Sequence, residues 1–398
     1  MVIIGGSSVA LAQTDVNKPS LDIYGFAMLD MGYEAGASHP DWYDVMRPTK
    51  LSVYDKQYGE DGNFYAGVRQ SRLGFKGLVP TEQGDIKTIF EFELFGVGSD
   101  AGQTTFRLRH AYGEFKQVGA GQTWSTFMDP DVFPNSIEYW GPSGMVFYRN
   151  VQLRYMPLQG DNAVTLSLEK PGGSGDPGVL VGDPNVANMA GRWPLPDLAA
   201  HYRRTSDWGH FQAAGILRYA ALDDNGTDAQ DLSKEYLGWG LNLSANIKIA
   251  NDTVRLQAVY GEGIANYMND ASADVGALES GHPDVAKTLP LLGLVAFYDR
   301  SWNDRFTSTF GYSLVDIKTS SGQTADAFRR GHYALANLLY HPVKNLVYGL
   351  ELQYGQRQNK GDGQMIDIGG GDMRQVKRSD DVRLQFSIKY SFGARVGG

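Results

Sequence analysis

From Leu21 onward the chain alternates apolar and polar residues with a period of two, in segment after segment of about ten residues. In the first, Leu21, Ile23, Gly25, Ala27, Leu29, Met31 and Tyr33 share one face, and Asp22, Tyr24, Phe26, Met28, Asp30 and Glu34 the other. A later one sets Leu237, Trp239, Leu241, Leu243, Ala245 and Ile247 against Gly238, Gly240, Asn242, Ser244, Asn246 and Lys248. The last runs to Phe392 in the same way. Period two is the mark of strands whose two faces meet different surroundings. About sixteen such segments can be counted, an even number, as an antiparallel sheet closed into a barrel requires.

A soluble sandwich also alternates, but its strands are commonly about five or six residues long and its apolar face is covered. Here the strands are longer, and aromatic residues mark the ends of the apolar faces: Tyr33, Tyr112, Tyr155, Tyr219, Tyr260, Tyr298, Tyr354 and Tyr390. Such girdles suit a lipid-facing band. Connections near Asp161, Trp208, Asn251, Asp304 and Lys344 are short, whereas those near Asp44, Gly175, Asp228, Asp274, Gln323 and Asp367 are long. Short turns at one end and long loops at the other fit an outer-membrane barrel. No apolar run approaches the ~18 residues of a membrane helix, and the absence of cysteine excludes disulfides and thiolate metal sites. The stretch ending Ala10-Leu11-Ala12 reads as the remnant of a secretory leader, residues 1–12. A short segment 13–20, a transmembrane barrel 21–392 and a tail 393–398 complete the expected organisation.

One connection stands apart. The strand entering it stops at Asp129, Pro130 and Asp131, two more prolines follow at 134 and 142, and alternation resumes only near Asn150. Proline cannot donate to a ladder, and a loop of this length inside a hairpin-like chain is commonly functional. Its chemistry-bearing residues are Asp129, Asp131, Glu138, Tyr139, Trp140 and Arg149.

Enzyme fingerprints are missing: no HExxH, Walker A or GxSxG occurs, and the seven histidines lie at no ligand spacing. The chain therefore reads as a non-enzyme that needs no cofactor or metal and binds no nucleic acid. A hydrolase on the same barrel, or an adhesin or receptor plugged by its loops, are the alternatives. The acidic loop 223–231 misses the spacing and closing Glu of a calcium loop and reads as a solvated one. Although the net charge is −9, the polar faces carry about twice as many cations as anions. Among them Arg72, Lys76, Arg107, Arg109 and Arg154 lie beside or lead into the long loop. Hairpin register about Ser99–Asp100 sets Glu93 across from Arg107 and Glu91 across from Arg109, which leaves Arg72, Lys76 and Arg154 as the unpaired cations.

Together, SRLGFKG (71–77), LRHAYGEF (108–115), GQTWSTFMD (121–129), YGEGIANYMND (260–270) and the closing strand give the chain its resemblance to the DcaP-like trimeric porins of the general porin class. The resemblance implies a homotrimer of sixteen-stranded barrels in the bacterial outer membrane, surrounded by its lipid, with the loop 128–149 folded inward as a constriction. It further implies passive uptake of small, anionic, dicarboxylate-like solutes. On that arrangement Asp129, Asp131 and Glu138 would face the arginines across the pore and set up a transverse field. Family members end on an aromatic residue, whereas GARVGG follows Phe392 here.

Overall fold

The alternating segments pair in chain order, each antiparallel to the next, and the last returns to pair with the first. In the computed structural model, which describes residues 18–186, 188–226, 231–282 and 284–398, sixteen strands form the wall. The first eight are β1 (Ser20–Glu34), β2 (Arg72–Thr81), β3 (Gly84–Phe95), β4 (Thr104–Phe115), β5 (Val118–Trp124), β6 (Arg149–Leu158), β7 (Asn162–Glu169) and β8 (Asp197–Ser206). The second eight are β9 (Gly209–Asp224), β10 (Lys234–Ile249), β11 (Asp252–Glu262), β12 (Pro290–Asn303), β13 (Phe306–Ile317), β14 (Phe328–Val343), β15 (Leu346–Asn359) and β16 (Ser379–Gly397). Closure is complete: β1 pairs with β16 from Ser20 opposite Gly397 to Glu34 opposite Arg383. A closed sheet presents no unpaired edge, which is what lets strands cross hydrocarbon. The leader remnant 1–12 falls outside the described residues, as does part of the acidic loop 223–231.

The last strand continues past Phe392. Residues 393–397 stay in the ladder, and Arg395 holds Asp22 on β1 through two hydrogen bonds of 2.6 and 2.8 Å. Two interruptions occur in the wall. The upper half of β1 pairs with the short strand Asn63–Gly67 and its lower half with β2. At the gap Ser71 Oγ accepts the backbone N–H of Met28, so the interrupted ladder leaves that donor satisfied. Met189–Arg192 likewise continues the line of β8 along the upper end of β9.

Burial is the reverse of a soluble protein's. Leu217, Leu237, Leu241, Leu350 and Leu352 are each half or more exposed, while Asn242, Gln257, Gln353 and Gln385 are buried. The apolar face looks outward and the amide-bearing face inward, as alternation predicts. The register shifts at several places, and one of them re-aims charged side chains. Between β3 and β4 the register passes from Phe92 opposite Leu108 to Glu91 opposite His110, leaving Arg109 as an extra residue. This bulge turns both Arg109 and His110 inward and reverses the faces beyond it. Tyr112, which strict alternation puts in the outer girdle, is therefore buried on the lumen side, against Gly119, where any Cβ would overlap its hydroxyl.

All the short connections lie at one end, the end that also holds both termini of the barrel, and several are two-residue turns. In the turn between Ile249 and Asp252, Ala250 adopts φ 54°. A left-handed residue with a Cβ costs roughly 1–2 kcal/mol, partly offset on changing to glycine by ~0.5–1 kcal/mol of chain entropy. Ala250→Gly is expected to stabilise the barrel by roughly 0.5 kcal/mol, read as a raised urea midpoint for the protein folded in detergent; a lowered midpoint would show that the turn is not strained.

Candidate functional site

Where β5 ends at Trp124, the chain leaves the wall and crosses the lumen before rejoining it at Arg149. Its backbone is taken up by inward-facing side chains of strands far away in sequence. Asn242 on β10 donates to Phe127 O (2.9 Å) and Asn246 to Asp131 O (2.6 Å). Gln257 on β11 donates to Gly144 O (3.3 Å) and Asn337 on β14 to Asn135 O (2.9 Å). Ser313 on β13 accepts from Gly144 N, and Glu351 on β15 accepts from Ile137 N, both at 2.9 Å. The same loop buries Phe127, Val132, Met145 and Val146 completely.

A second loop, 263–274, lies against the first. Phe147 N donates to Tyr267 O (3.0 Å) and Asn269 N to Met145 O (2.9 Å). Asp270 then ties in the loop after β1, accepting from Arg47 Nε (3.0 Å) and Thr49 N (2.9 Å). The Arg47 guanidinium lies 4.1 Å from the Trp42 ring centre and 4.0 Å from that of Trp140. Trp140 Nε1 donates to Asn269 O (2.7 Å), and Tyr139 stacks on Phe95 at 4.0 Å. Arg47 is not marked by the alternating pattern, and the 263–274 loop shows in the sequence only as a long connection near Asp274 and in the motif Tyr260–Asp270.

The bulge assembles the charges. Glu93 contacts four guanidinium groups: Arg72 (3.4 Å), Arg107 (3.5 Å), Arg109 (2.5 Å) and Arg149 (3.5 Å). Glu91 takes Arg109 at 2.6 Å and Arg72 at 3.7 Å, and accepts the Tyr24 hydroxyl at 2.8 Å. Four arginines thus surround two carboxylates, so the cluster keeps a net positive charge of two. Arg72 was expected to be unpaired, but the β2–β3 register puts it directly opposite Glu93. Lys76 lies 4.9 Å from the Tyr24 ring centre, and Arg154 bonds Gln152 Oε1 (2.7 Å) and Trp124 O. Among the described residues no carboxylate is within salt-bridge distance of either.

The acidic residues of the loop do not face these arginines. Asp129 is buried, accepting from His210 Nε2 (2.7 Å), Ser244 Oγ (2.6 Å) and Arg203 (3.2 Å), and Asp131 meets Arg203 at 2.5 Å. Asp129, Asp131 and His210 converge within 4.8 Å, a donor set for a divalent ion, but Arg203 already supplies the counter-charge. Glu138 is buried among donors from two loops and the wall, accepting from Met46 N (3.2 Å), Trp140 N (2.9 Å), Gly141 N and the Tyr333 hydroxyl (3.2 Å). A cavity of about 300 Å³ opens where the loops meet, lined by Arg47, Arg107 and Arg149, by Tyr139, Trp140 and Tyr148, and by Asn266 and Asn269, with no carboxylate.

A closed sixteen-stranded barrel with an apolar outside and a polar, loop-filled inside defines a channel of the bacterial outer membrane, of porin type. Residues 18–368 match the DcaP outer membrane protein family, and the chain belongs to it. Among solved structures, the outer membrane channel DcaP of Acinetobacter baumannii superposes with a TM-score of 0.77 at 20% identity, covering 96% of this chain and 99% of that one. The anion-selective porin from Comamonas acidovorans gives 0.59 at 11% identity (94% and 100% covered), and the trimer form of Vibrio cholerae OmpT gives 0.55 at 12% (94% and 99%). No curated protein matches the chain.

Two predictions follow from the buried charges. Removing one partner from a buried ion cluster costs roughly 3–5 kcal/mol, so Arg109→Ala, which strips Glu91 and Glu93 of their shortest ion pairs, is expected to lower the thermal midpoint in detergent sharply. Lys76→Ala should leave it within experimental scatter; equal effects would mean the cluster does not hold the wall. Burial, reinforced by the Glu351 carboxylate and opposed by the backbone N–H donors, pushes Glu138 up to about 7 from 4.5. The folded chain then binds more protons than the unfolded one across that window, so stability falls as pH rises from about 4.5 to about 7, by at most roughly 1.4 kcal/mol per pH unit. Denaturant midpoints measured across that range should decline in wild type and decline less in Glu138→Gln. A slope the variant shares would assign it to another group.

Proposed function

We propose that the protein is a porin for passive diffusion of small anionic solutes of dicarboxylate type, with the loop 128–149 as its constriction. The observation that carries this reading is the cavity lined by Arg47, Arg107 and Arg149. Three guanidinium groups line it with no carboxylate among them, beside aromatic rings and two asparagines. Guanidinium presents forked donors to carboxylate oxygens, and in a narrow passage a ring of like charges sets selectivity. Sharing Glu93 among four arginines leaves each only partly neutralised, so the excess charge still acts on a passing ion. Arg109, with the shortest contacts and the least exposure, is the structural member of the set; Arg107, about a quarter exposed and lining the cavity, is the functional one. The selectivity of the Comamonas porin is in keeping with this reading.

The reading needs no catalysis and no cofactor. Ser244 and His210 both bond Asp129 rather than each other, which is a structural tie and not a nucleophile–base pair. The functional unit is taken as a homotrimer, by analogy with the trimer form of OmpT.

The test is a planar-bilayer recording. Wild type should conduct in groups of three steps and give an anion-selective zero-current potential in a salt gradient. Arg107→Ala should cut the anion-to-cation permeability ratio by roughly twofold or more, and Arg154→Ala should change it less, because Arg154 is bonded to Trp124 O and Gln152 outside the cavity. A cation-selective wild type ends the proposal. A larger effect from Arg154 would move the selectivity site off the cavity.

A further inference from the structure

A second cavity, of about 420 Å³, lies under the outer loops and has the opposite character. Its walls are the upper ends of β9 and β10, and a three-stranded patch roofs it. In that patch Gly175–Asp176 runs parallel to Val275–Ala277, which pairs antiparallel with Ala286–Thr288. Leu180, Val186, Met189, Trp193 and Tyr236 give it an apolar lining. The charged residues lining it are Asp176, Asp197, Asp274 and Arg218, a net charge of −2.

Nearly all of these groups are accounted for. Arg218 donates from Nε to Asp197 Oδ2 (3.1 Å), from Nη1 to Asp274 Oδ1 (2.8 Å) and Gly263 O, and from Nη2 to Gly172 O. Asp274 Oδ1 also accepts from Asn266 N (3.1 Å) and its Oδ2 from Ser174 N (2.9 Å). Asp176 accepts from Gly178 N (3.0 Å) and Gln323 Nε2 (2.7 Å). Asp197 Oδ2 accepts the Tyr267 hydroxyl as well (2.8 Å). Among the described residues, Asp197 Oδ1 is the one oxygen of these carboxylates with no donor, although the residue is only 1% exposed. A buried carboxylate oxygen with no partner is costly and calls for one.

We infer that this cavity binds an amphipathic amine, its ammonium on Asp197 Oδ1 and its apolar body along Leu180, Met189 and Trp193. An apolar chamber of this size with one unmet polar contact is the ordinary form of a small-molecule site. Charge decides the class of ligand: the lining's excess of two negative charges favours a cationic donor over a neutral hydroxyl and rejects a carboxylate. The arginine-lined cavity meets this one at Ser174, which lines both, so cationic and anionic solutes are sorted to adjoining chambers.

The test uses the full chain in lipid nanodiscs, titrated calorimetrically with phenethylamine, and with 2-phenylethanol and 3-phenylpropionate as probes of the same body and different head. Phenethylamine is expected to bind saturably, one per chain, at least tenfold tighter than either comparison compound. Asp197→Asn should weaken it at least tenfold. Ala220 also lines the cavity, and Ala220→Leu, which fills the chamber without touching a charge, should abolish binding and leave the zero-current potential unchanged. Equal binding of the three probes, or phenethylamine binding unaltered in Ala220→Leu, overturns the inference. If Asp197→Asn does not fold, the Ala220→Leu result decides. Because selectivity is read separately as a potential, failure here and failure of the anion-channel reading are distinguishable.

Discussion

A backbone that enters the lumen of a barrel must find hydrogen-bond partners there, and this requirement governs the inside of the protein. Residues 125–148 have little regular structure of their own, and three prolines remove donors from the segment. Their carbonyls and amides are matched instead by Asn242, Asn246, Gln257, Ser313, Asn337 and Glu351, side chains that project inward because they hold the polar positions of alternating strands. An orphaned buried peptide group costs on the order of a few kcal/mol, so the loop's path is set by where the wall offers amides. That accounts for the run Asn242, Ser244 and Asn246 on the inner face of β10, and for the single amides Gln257 on β11 and Asn337 on β14 beside apolar inward neighbours such as Val259, Tyr333 and Leu335.

The loop does not act by itself. It is bonded to 263–274 through Tyr267 and Asn269, and Asp270 passes the connection to Arg47 and Thr49 in the loop after β1. Arg47 in turn is held between two tryptophans, one from that loop and one from 125–148. Displacing any one of the three would unpair a buried charge or open an aromatic contact in another. The three segments interlock, and the side chains lining the cavity among them are held by contacts on more than one side.

Fold and membrane face were legible because period two survives in almost every strand and states which side chains look outward. The site was legible only in part. The pairing of Glu93 with Arg107 followed from hairpin register, but the place of Arg72 required the register of the neighbouring hairpin as well. Tyr112 was assigned to the wrong face because a one-residue bulge at Arg109 leaves no signature in the alternation and reverses all that follows it within the strand. Asp129 and Glu138 looked like free loop carboxylates since sequence shows charge without burial; in the fold each is enclosed by donors. Arg47 lay in a stretch with no periodicity at all, so nothing in the sequence tied it to Asp270, 223 residues away.

The distribution of charge follows from the same enclosure. Four guanidinium groups could not gather in a partly desolvated wall without anions among them, and Glu91 and Glu93 supply these while leaving an excess of positive charge. On the other side of Ser174, Arg218 gathers Asp197 and Asp274 and leaves the reverse excess. In each cluster the minority charge holds the majority in place. Two ion clusters of opposite net charge thus stand on different parts of the wall and loops. The acids of 125–148 belong to neither, since Asp129 and Asp131 are bound by Arg203 and Glu138 by the backbone N–H groups of Met46, Trp140 and Gly141. The positive cluster stands on wall strands β2, β3, β4 and β6, whereas Arg218 takes Asp274, Gly263 O and Gly172 O from the outer loops, so the negative cluster is completed only when those loops are folded onto the wall.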